Sequence, residues 1–305
     1  MSSIAPVVPA ARHYLLNGRS ATAPRLAAGL YLVATPIGNL DDVTIRALET
    51  LAAADLVACE DTRVTRRLFD RYGITTRLTP YHEHNATEAR PKLLAQLSAG
   101  AAIALVSDAG TPLVSDPGYR LVREARAAGH EVTAIPGASA VLTALIVSAL
   151  PTDRFFFAGF LPPRAGQRRS CIAELKHIPA TLVLFETGPR IANTLADLAS
   201  DLGARQAAIC RELTKLHEEV RHGDLTALAG HYAHDAETRG EFVIVVAPPE
   251  PERVAATDVD VLLRRALDRL SVKAAVAEIA SVTGLSRRAI YQRALALSEE
   301  RDHDR

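Results

Sequence analysis

From residue 30 onward, short aliphatic runs alternate with longer stretches of helical periodicity. The runs predict strands at residues 31–35, 55–59, 102–106 and 131–135. The longer stretches predict helices at residues 43–53, 62–71, 86–99, 117–128 and 139–149. Asp116 and Pro117 predict the start of the fourth helix, because Asp caps free amides and Pro loses no bond there. The alternation is typical of an α/β domain with a mainly parallel sheet, which we assign to residues 29–150.

Residues 150–153 break this pattern, and a second series of apolar runs follows. These runs predict strands at residues 155–158, 181–185, 207–210 and 241–246. We therefore expect a second α/β domain over residues 151–248. A stiff proline-rich linker opens the last segment, residues 249–305, in which residues 271–293 predict a helix, a turn and a second helix capped by Ser286.

The first 28 residues contain three arginines but no continuous apolar core of the signal-peptide type, which predicts a flexible extension. The most apolar run, residues 138–150, is shorter than the roughly 20 residues that cross a bilayer. The three cysteines lie far apart and form no CxxC pair, which favours a reducing compartment. The sequence thus predicts a cytoplasmic protein without a membrane partner. Because the formal net charge is +0, any contact with nucleic acid has to come from local basic clusters.

Three loops that follow predicted strands are rich in Gly, Pro and small polar residues. They span residues 35–42, 107–112 and 136–140. In an open α/β sheet the ligand lies at the carboxyl ends of the strands, so small residues there leave room for one. A plain turn is the alternative for each loop taken alone. No loop has the pattern of a dinucleotide-binding or phosphate-binding loop, which argues against those two sites.

The second predicted strand ends in charge, with Glu60, Asp61 and Arg63. A helix N-cap and a surface ion pair are the alternative explanation of Asp61 and Arg63. His82 stands in a Tyr-His-Glu-His-Asn group, but a third metal ligand at recognisable spacing is missing. We therefore predict no metal, and a loop that contacts substrate.

The second predicted domain carries a basic loop with Arg164, Arg168 and Arg169, whose guanidinium groups suit phosphate. A solvated surface turn is the alternative. Another predicted strand is followed by two charged residues, Glu212 and Lys215. Charged residues at several strand ends indicate one shared cleft.

Five short segments, in their order along the chain, resemble the ribosomal RNA small-subunit methyltransferase I family, a branch of the tetrapyrrole methylase superfamily. They are residues 35–40, 60–63, 107–112, 159–162 and 211–215. The resemblance implies two α/β domains with S-adenosylmethionine in the cleft between them, and a homodimer. It also implies transfer of a methyl group to a cytidine ribose 2′-hydroxyl in the decoding region of 16S ribosomal RNA, as naked RNA or in the small ribosomal subunit.

The resemblance further implies contacts to the methyl donor from Pro36, Ile37, Gly38, Asn39, Asp108, Gly110, Thr111, Pro112, Val114, Gly137, Ala138, Ser139, Phe185 and Phe242. A ribose hydroxyl is a poor nucleophile, so a base and nearby cations are chemically apt. The hypotheses are Lys215 and Glu212 near the acceptor, Glu60 or Asp61 as base, and His82 as a further candidate; an ion-pair network between domains is the alternative.

The helix-turn-helix pattern of the tail presents Arg287 and Arg288, which we predict to bind RNA together with Arg63 and the basic loop. A helical hairpin packed on the body is the alternative. Two rival functions also stay open. One is a C-methyltransferase for a small tetrapyrrole-type molecule, which needs an apolar acceptor cleft. The other is a non-catalytic RNA-binding factor of ribosome assembly, which binds no methyl donor.

Overall fold

The computed structural model describes residues 11–116, 118–234, 237–250, 256–283 and 285–303. The chain divides into two compact units, residues 1–248 and 249–305. The predicted fold class, two α/β layers followed by a small helical appendage, is confirmed. No helix within the described ranges is long and apolar enough to cross a membrane.

The first unit opens with a hairpin of β1 (His13–Leu16) and β2 (Arg19–Thr22). Tyr14 in β1 is 4% exposed and packs in the hydrophobic core beneath the first helix. The prediction of a flexible extension to residue 28 therefore fails for this part, because one aromatic ring secures the hairpin. Residues 1–10 of the predicted extension lie outside the described residues.

The first sheet is parallel throughout and has the order β5-β4-β6-β3-β7. Its strands are β3 (Gly29–Val33), β4 (Leu56–Cys59), β5 (Leu78–Pro80), β6 (Ala102–Val106) and β7 (Val132–Ile135). Every residue of β4 and β6 is buried, as expected for continuous apolar runs covered on both faces. The short strand β5 was not predicted.

Five helices connect and follow these strands: α1 (Ile45–Ala53), α2 (Thr62–Tyr72), α3 (Ala86–Ser98), α4 (Tyr119–Ala127) and α5 (Ala140–Val147). The predicted start of α4 was wrong. Gly118, with φ of 137°, takes the N-cap position, and Asp116 lies two residues before it. Pro117 is outside the described residues.

The second sheet has the order β11-β10-β12-β9-β8, in which β8 and β9 are parallel and the other pairs antiparallel. Its strands are β8 (Phe155–Phe160), β9 (Thr181–Thr187), β10 (Gln206–Arg211), β11 (Glu219–Asp224) and β12 (Glu241–Val246). Its helices are α6 (Ala165–Leu175), α7 (Ile191–Leu202) and α8 (Leu225–His234). The edge strand β11 is polar and was not predicted.

Helix α5 joins the two sheets into one unit. Val141, Ala144 and Leu145 pack with Val183 of β9 and Val245 of β12 in a single buried cluster. The carboxyl ends of the first sheet and the ends of the second sheet therefore face one cleft.

The second unit consists of α9 (Ala256–Leu267), α10 (Val272–Thr283) and α11 (Arg287–His303) around its own apolar core. Ser286 caps α11, since its hydroxyl accepts from the Ala289 amide at 3.3 Å. The predicted helix-turn-helix pair and its cap are present, and α9 adds a third helix before them.

Candidate functional site

Two of the predicted ligand loops are bonded side by side at the carboxyl edge of the first sheet. The Thr35 amide donates to the Gly110 carbonyl at 2.9 Å, and the Gly110 amide donates to the Thr35 carbonyl at 3.0 Å. Gly110 has φ of 75°, a conformation that favours glycine. The bonded loops form the floor of the cleft.

One cavity of the cleft, of about 300 Å³, lies between these loops, the start of α5 and the second sheet. We call it the aromatic cavity. Its lining consists of Ile37, Asp108–Thr111, Val114–Asp116, Ser139–Val141, Phe160, Phe185–Thr187 and Glu241–Val243. The Phe160 and Phe185 rings meet edge to face with centroids 5.5 Å apart.

The aromatic cavity gathers eight of the residues predicted to contact the methyl donor: Ile37, Asp108, Gly110, Thr111, Val114, Ser139, Phe185 and Phe242. Pro36 and Gly38 line the neighbouring cavity instead. The other four, Asn39, Pro112, Gly137 and Ala138, line neither cavity. Ala138 has a supporting contact, because its carbonyl accepts from the Thr111 hydroxyl at 3.3 Å.

The neighbouring cavity, of about 370 Å³, is lined on one side by α2 and contains two cations, Arg67 and Lys215, together with two carboxylates, Asp108 and Glu241. We call it the cationic cavity. Its lining consists of Thr35–Gly38, Leu40, Val64, Thr65, Arg67, Leu68, Ser107–Ala109, Lys215 and Glu241. It shares Ile37, Asp108, Ala109 and Glu241 with the aromatic cavity, so the two adjoin.

Lys215 is held between two carboxylates. Its Nζ lies 2.8 Å from Glu212 Oε1 and 2.8 Å from Glu241 Oε2. Burial opposes the charged form of Lys215, but the two hydrogen bonds and the negative charges outweigh burial and raise its pKa. Lys215 therefore remains a cation at neutral pH.

The loop that carries Lys215 contacts the first sheet directly. The Asn39 amide donates to the Thr214 hydroxyl at 3.0 Å. A Cβ on Gly38 would lie 2.5 Å from Lys215 Cγ and 2.7 Å from Thr214 Oγ1, so the close approach requires glycine. Glu212 and Thr214 have φ of 49° and 64°, a left-handed conformation that is costly for both residue types. Contact with Gly38 and Asn39 holds this strained loop in place.

The predicted bases differ in their surroundings. Asp61 caps α2, and its hydrogen bonds with Arg63 lower its pKa to about 2, which makes it a poor base. Burial, followed by repulsion from Asp108, Asp116 and Asp61, raises the pKa of Glu60. Burial also raises the pKa of Asp108, which accepts from the Asp61 amide at 2.8 Å and lines both cavities.

His82 follows β5, beside the carboxyl end of β4, but lines neither cavity. Its Nδ1 is buried and has no hydrogen-bond partner within the described part of the chain. Over the same ranges, no group of three His, Cys, Asp or Glu side chains is arranged to hold a metal ion.

The predicted RNA-binding arginines fall into two groups. Arg168 is 6% exposed, and its Nε donates to Asp197 at 2.7 Å, so its guanidinium braces α6 against α7 and does not face solvent. This corrects the prediction of a phosphate contact there. Arg169 is exposed but pairs with Asp201 at 3.0 Å. The exposed group comprises Arg63, Arg164, Arg169, Arg287 and Arg288, of which Arg63 is paired with Asp61 and Arg169 with Asp201.

Several lining residues were not predicted: Phe160, Asp116, Glu186, Thr187, Glu241 and Arg67. Phe160 and Glu241 stand at strand ends. Their place at the ends of predicted strands is the sequence signal that would have identified them. Glu186 also stands near a strand end; it is 2% exposed, accepts from the Thr194 hydroxyl at 2.7 Å and pairs with Arg190 at 3.2 Å.

The aromatic cavity fits a methyl donor of the sulfonium type. Its aromatic rings and aliphatic side chains suit an adenine base, and rings together with carboxylates favour a cationic centre. Its volume is in the range of a small-molecule site. Asp108, Asp116 and Glu241 are the residues that would hold the polar parts of S-adenosylmethionine.

The fold and the site together define a methylase of the tetrapyrrole type. The family model "Tetrapyrrole (Corrin/Porphyrin) Methylases" matches residues 29–229, so the chain belongs to that family. Among solved structures, a uroporphyrin-III-C-methyltransferase from Thermus thermophilus is similar, with TM-score 0.52 and 22% identity over 72% of this chain and 94% of its own. A uroporphyrin-III C-methyl transferase from Thermus thermophilus complexed with S-adenyl homocysteine has TM-score 0.51 and 21% identity over 72% of this chain and 97% of its own.

The particular branch follows from closer relatives. A protein named ribosomal RNA small subunit methyltransferase I from Mesorhizobium japonicum is 55% identical over 90% of this chain and 94% of its own. A protein of the same name from Halalkalibacterium halodurans is 46% identical over 86% and 93%. The model "RsmI C-terminal HTH domain" matches residues 253–298. The chain is thus an S-adenosylmethionine-dependent methyltransferase of this branch, as the sequence predicted.

Proposed function

We propose that this chain methylates 16S ribosomal RNA at the 2′-hydroxyl of a cytidine ribose in the decoding region. The observation that carries the proposal is the pair of adjoining cavities, one aromatic and one with Lys215 and Arg67. A nucleotide next to its phosphates suits the cationic cavity, because Arg67 presents a guanidinium group there. The names of the relatives and the helix-turn-helix tail support an RNA substrate.

S-adenosylmethionine supplies a methyl group activated by a positively charged sulfur. A carbon–oxygen bond forms at the ribose while the carbon–sulfur bond breaks and its electron pair stays on sulfur. The residues of the chain align the two reactants and exclude water. Lys215 stays protonated and stabilises negative charge on the ribose oxygen, and Glu212 and Glu241 fix its position.

The hydroxyl proton needs a carboxylate acceptor. Asp61 is disfavoured because its cap and its ion pair hold its pKa at about 2. Glu60 keeps the role of base in this proposal because burial and the nearby carboxylates raise its pKa, although it lines neither cavity. Asp108, which lines both cavities, is the second candidate.

Transfer of labelled methyl from S-adenosylmethionine to small ribosomal subunits that lack their native modifications tests the proposal. Nuclease digestion of the product should locate the label in a 2′-O-methylated cytidine. Lys215→Met should lower kcat by about 10²–10³, the loss typical of removing one group that stabilises an oxyanion. Donor binding without label in RNA would favour a small-molecule acceptor, and absence of donor binding would favour the non-catalytic factor.

The pH dependence of the same assay tests the base. Because the pKa of Glu60 is raised, its deprotonated form and hence the rate should fall at a higher pH than for an ordinary carboxylate. Glu60→Gln should abolish this fall in rate at acidic pH, the acid limb of the pH profile, together with most of kcat. Asp61→Asn should retain the acid limb. Loss of the limb in Asp108→Asn alone would transfer the role of base to Asp108.

The proposal includes a homodimer in the cytoplasm, where ribosomes assemble. Leu142 and Ile146 on α5 are 52% and 73% exposed, and Phe155 and Phe156 on the edge strand β8 are 43% and 42% exposed. Exposed apolar side chains beside a sheet edge favour association with a second copy. Ile146→Asp should shift the mass measured by light scattering from dimer to monomer, and a wild-type monomer would reject this part.

A further inference from the structure

Helix α2 concentrates positive charge at the mouth of the cationic cavity. It begins directly after β4, at the carboxyl edge of the first sheet. Its arginines stand at positions 63, 66, 67 and 71, a spacing of three, four and eight residues that places them along one face of a helix. All four are exposed, while Leu68 and Phe69 bury the opposite face.

The charges of this face are only partly neutralised. Arg63 pairs with Asp61 at 2.6 Å and Arg71 with Asp41 at 3.1 Å. Asp70 shares this face, three and four residues after Arg67 and Arg66. Neither arginine forms an ion pair or a side-chain hydrogen bond with Asp70 or with any other residue that the structure describes. Two guanidinium groups in the middle of the helix are therefore available to an external anion.

Two other helices of this unit carry several arginines. In α4, Arg120, Arg123 and Arg126 are exposed, but none of them lines either cavity. In α6, Arg168 is buried against Asp197, and Arg169 pairs with Asp201. The chain as a whole has a formal net charge of +0, so a polyanion has to be attracted locally. What distinguishes α2 from α4 and α6 is its position, because Arg67 lines the cationic cavity together with Lys215.

We infer that α2 binds the phosphodiester backbone of the substrate RNA next to the target nucleotide, with Arg66 and Arg67 as the principal contacts. From residue 63 to residue 71 the helix rises about 12 Å, so its arginine face is long enough to contact consecutive phosphates of one strand. Planar guanidinium groups bind phosphate oxygens in pairs, which suits this ligand. The inference rests on the proposed function, because it names the surface that guides the RNA into the cationic cavity.

A pair of double variants with equal loss of charge tests this surface. Arg66→Gln with Arg67→Gln removes the two uncompensated charges of α2. Arg77→Gln with Arg126→Gln is the matched control, since both residues are exposed. Arg77 directly precedes β5 and Arg126 lies in the last turn of α4, so both are at the amino edge of the first sheet, away from the cleft. Far-ultraviolet circular dichroism and the Kd for S-adenosylhomocysteine should stay unchanged in both, which verifies folding.

The readouts are the KM for undermodified small subunits and the salt dependence of their binding. Loss of two phosphate contacts should reduce the slope of log Kobs against log salt by roughly 1.4–1.8 and raise KM about tenfold or more. The control should change neither. An unchanged slope in the α2 variant, or an equal change in the control, would overturn the inference.

Failure of the proposed function gives a different result. If wild-type protein places no methyl group on the subunits, the proposed function fails. The salt dependence of binding still measures the contribution of α2 to RNA binding, because binding does not require methyl transfer. If wild-type protein methylates the subunits and the α2 variant keeps its KM and slope, the inference fails alone.

Discussion

Replacement of Gly38 by alanine perturbs the contact between the two sheets at the cleft. The added Cβ would lie 2.5 Å from Lys215 Cγ, 2.7 Å from Thr214 Oγ1 and 3.0 Å from the Leu213 carbonyl oxygen. Gly38 does not have a positive φ, so alanine is compatible with the local backbone and only the contact is changed. The loop that carries Lys215 has to move away from the first sheet.

The expected cost follows from two terms. Overpacking of a tight contact costs about 1–3 kcal/mol. Loss of the hydrogen bond from the Asn39 amide to Thr214 costs about 1 kcal/mol more. A unit of this size loses roughly 2–4 °C in Tm for each kcal/mol, so we expect Tm to fall by about 4–16 °C.

Activity should suffer more than stability. Movement of the loop takes Lys215 from its position between Glu212 and Glu241, so the developing charge on the acceptor loses its cation. We expect kcat to fall by about 10²-fold or more, since misplacement by about 1 Å has effects of that size. Gly38 does not line the aromatic cavity, so the Kd for S-adenosylhomocysteine should change far less.

The assay combines thermal unfolding, steady-state methylation of small subunits and calorimetric binding of S-adenosylhomocysteine. Gly166→Ala is the matched control, because a Cβ there meets nothing within 4 Å and the residue lies inside α6. It should be neutral or slightly stabilising. Wild-type kcat and Tm in Gly38→Ala would refute the role assigned to this contact.

Three further predictions concern other sites. Arg168→Ala leaves Asp197 without its partner and should lower the free energy of unfolding by about 3 kcal/mol in urea titrations while leaving the Kd for RNA unchanged. Burial raises the pKa of Cys210 to about 12, so iodoacetamide at pH 8 should modify half-buried Cys171 before Cys210, as mass spectrometry would show. Asp61 has a lowered pKa, so its ionised form stabilises the fold at neutral pH. The Tm of wild-type protein should therefore exceed that of Asp61→Asn at neutral pH, and the difference should shrink as pH falls from about 4 towards 2.

Local pattern was sufficient for most elements but not for polar edge strands. β4 and β6 are continuous apolar runs and were predicted within a residue of their bounds. β11 consists mostly of polar residues and contains one aliphatic side chain, Val220, and its pairing with β10 makes it a strand. The hairpin at the start of the chain was missed for a related reason, since Tyr14 is buried by a distant helix.

The sequence by itself determined the α/β class, the two series of strands, the ligand loops at the strand ends and the family, because periodicity and loop composition are local properties. The tertiary structure decided which charges are available. Arg168 and Arg66 are indistinguishable as sequence letters, yet Asp197 neutralises the first and the second stays exposed. It also brought Gly38 against Lys215, residues 177 positions apart. Burial and ion pairing depend on which distant segments meet, and that is fixed only when the two sheets close around α5.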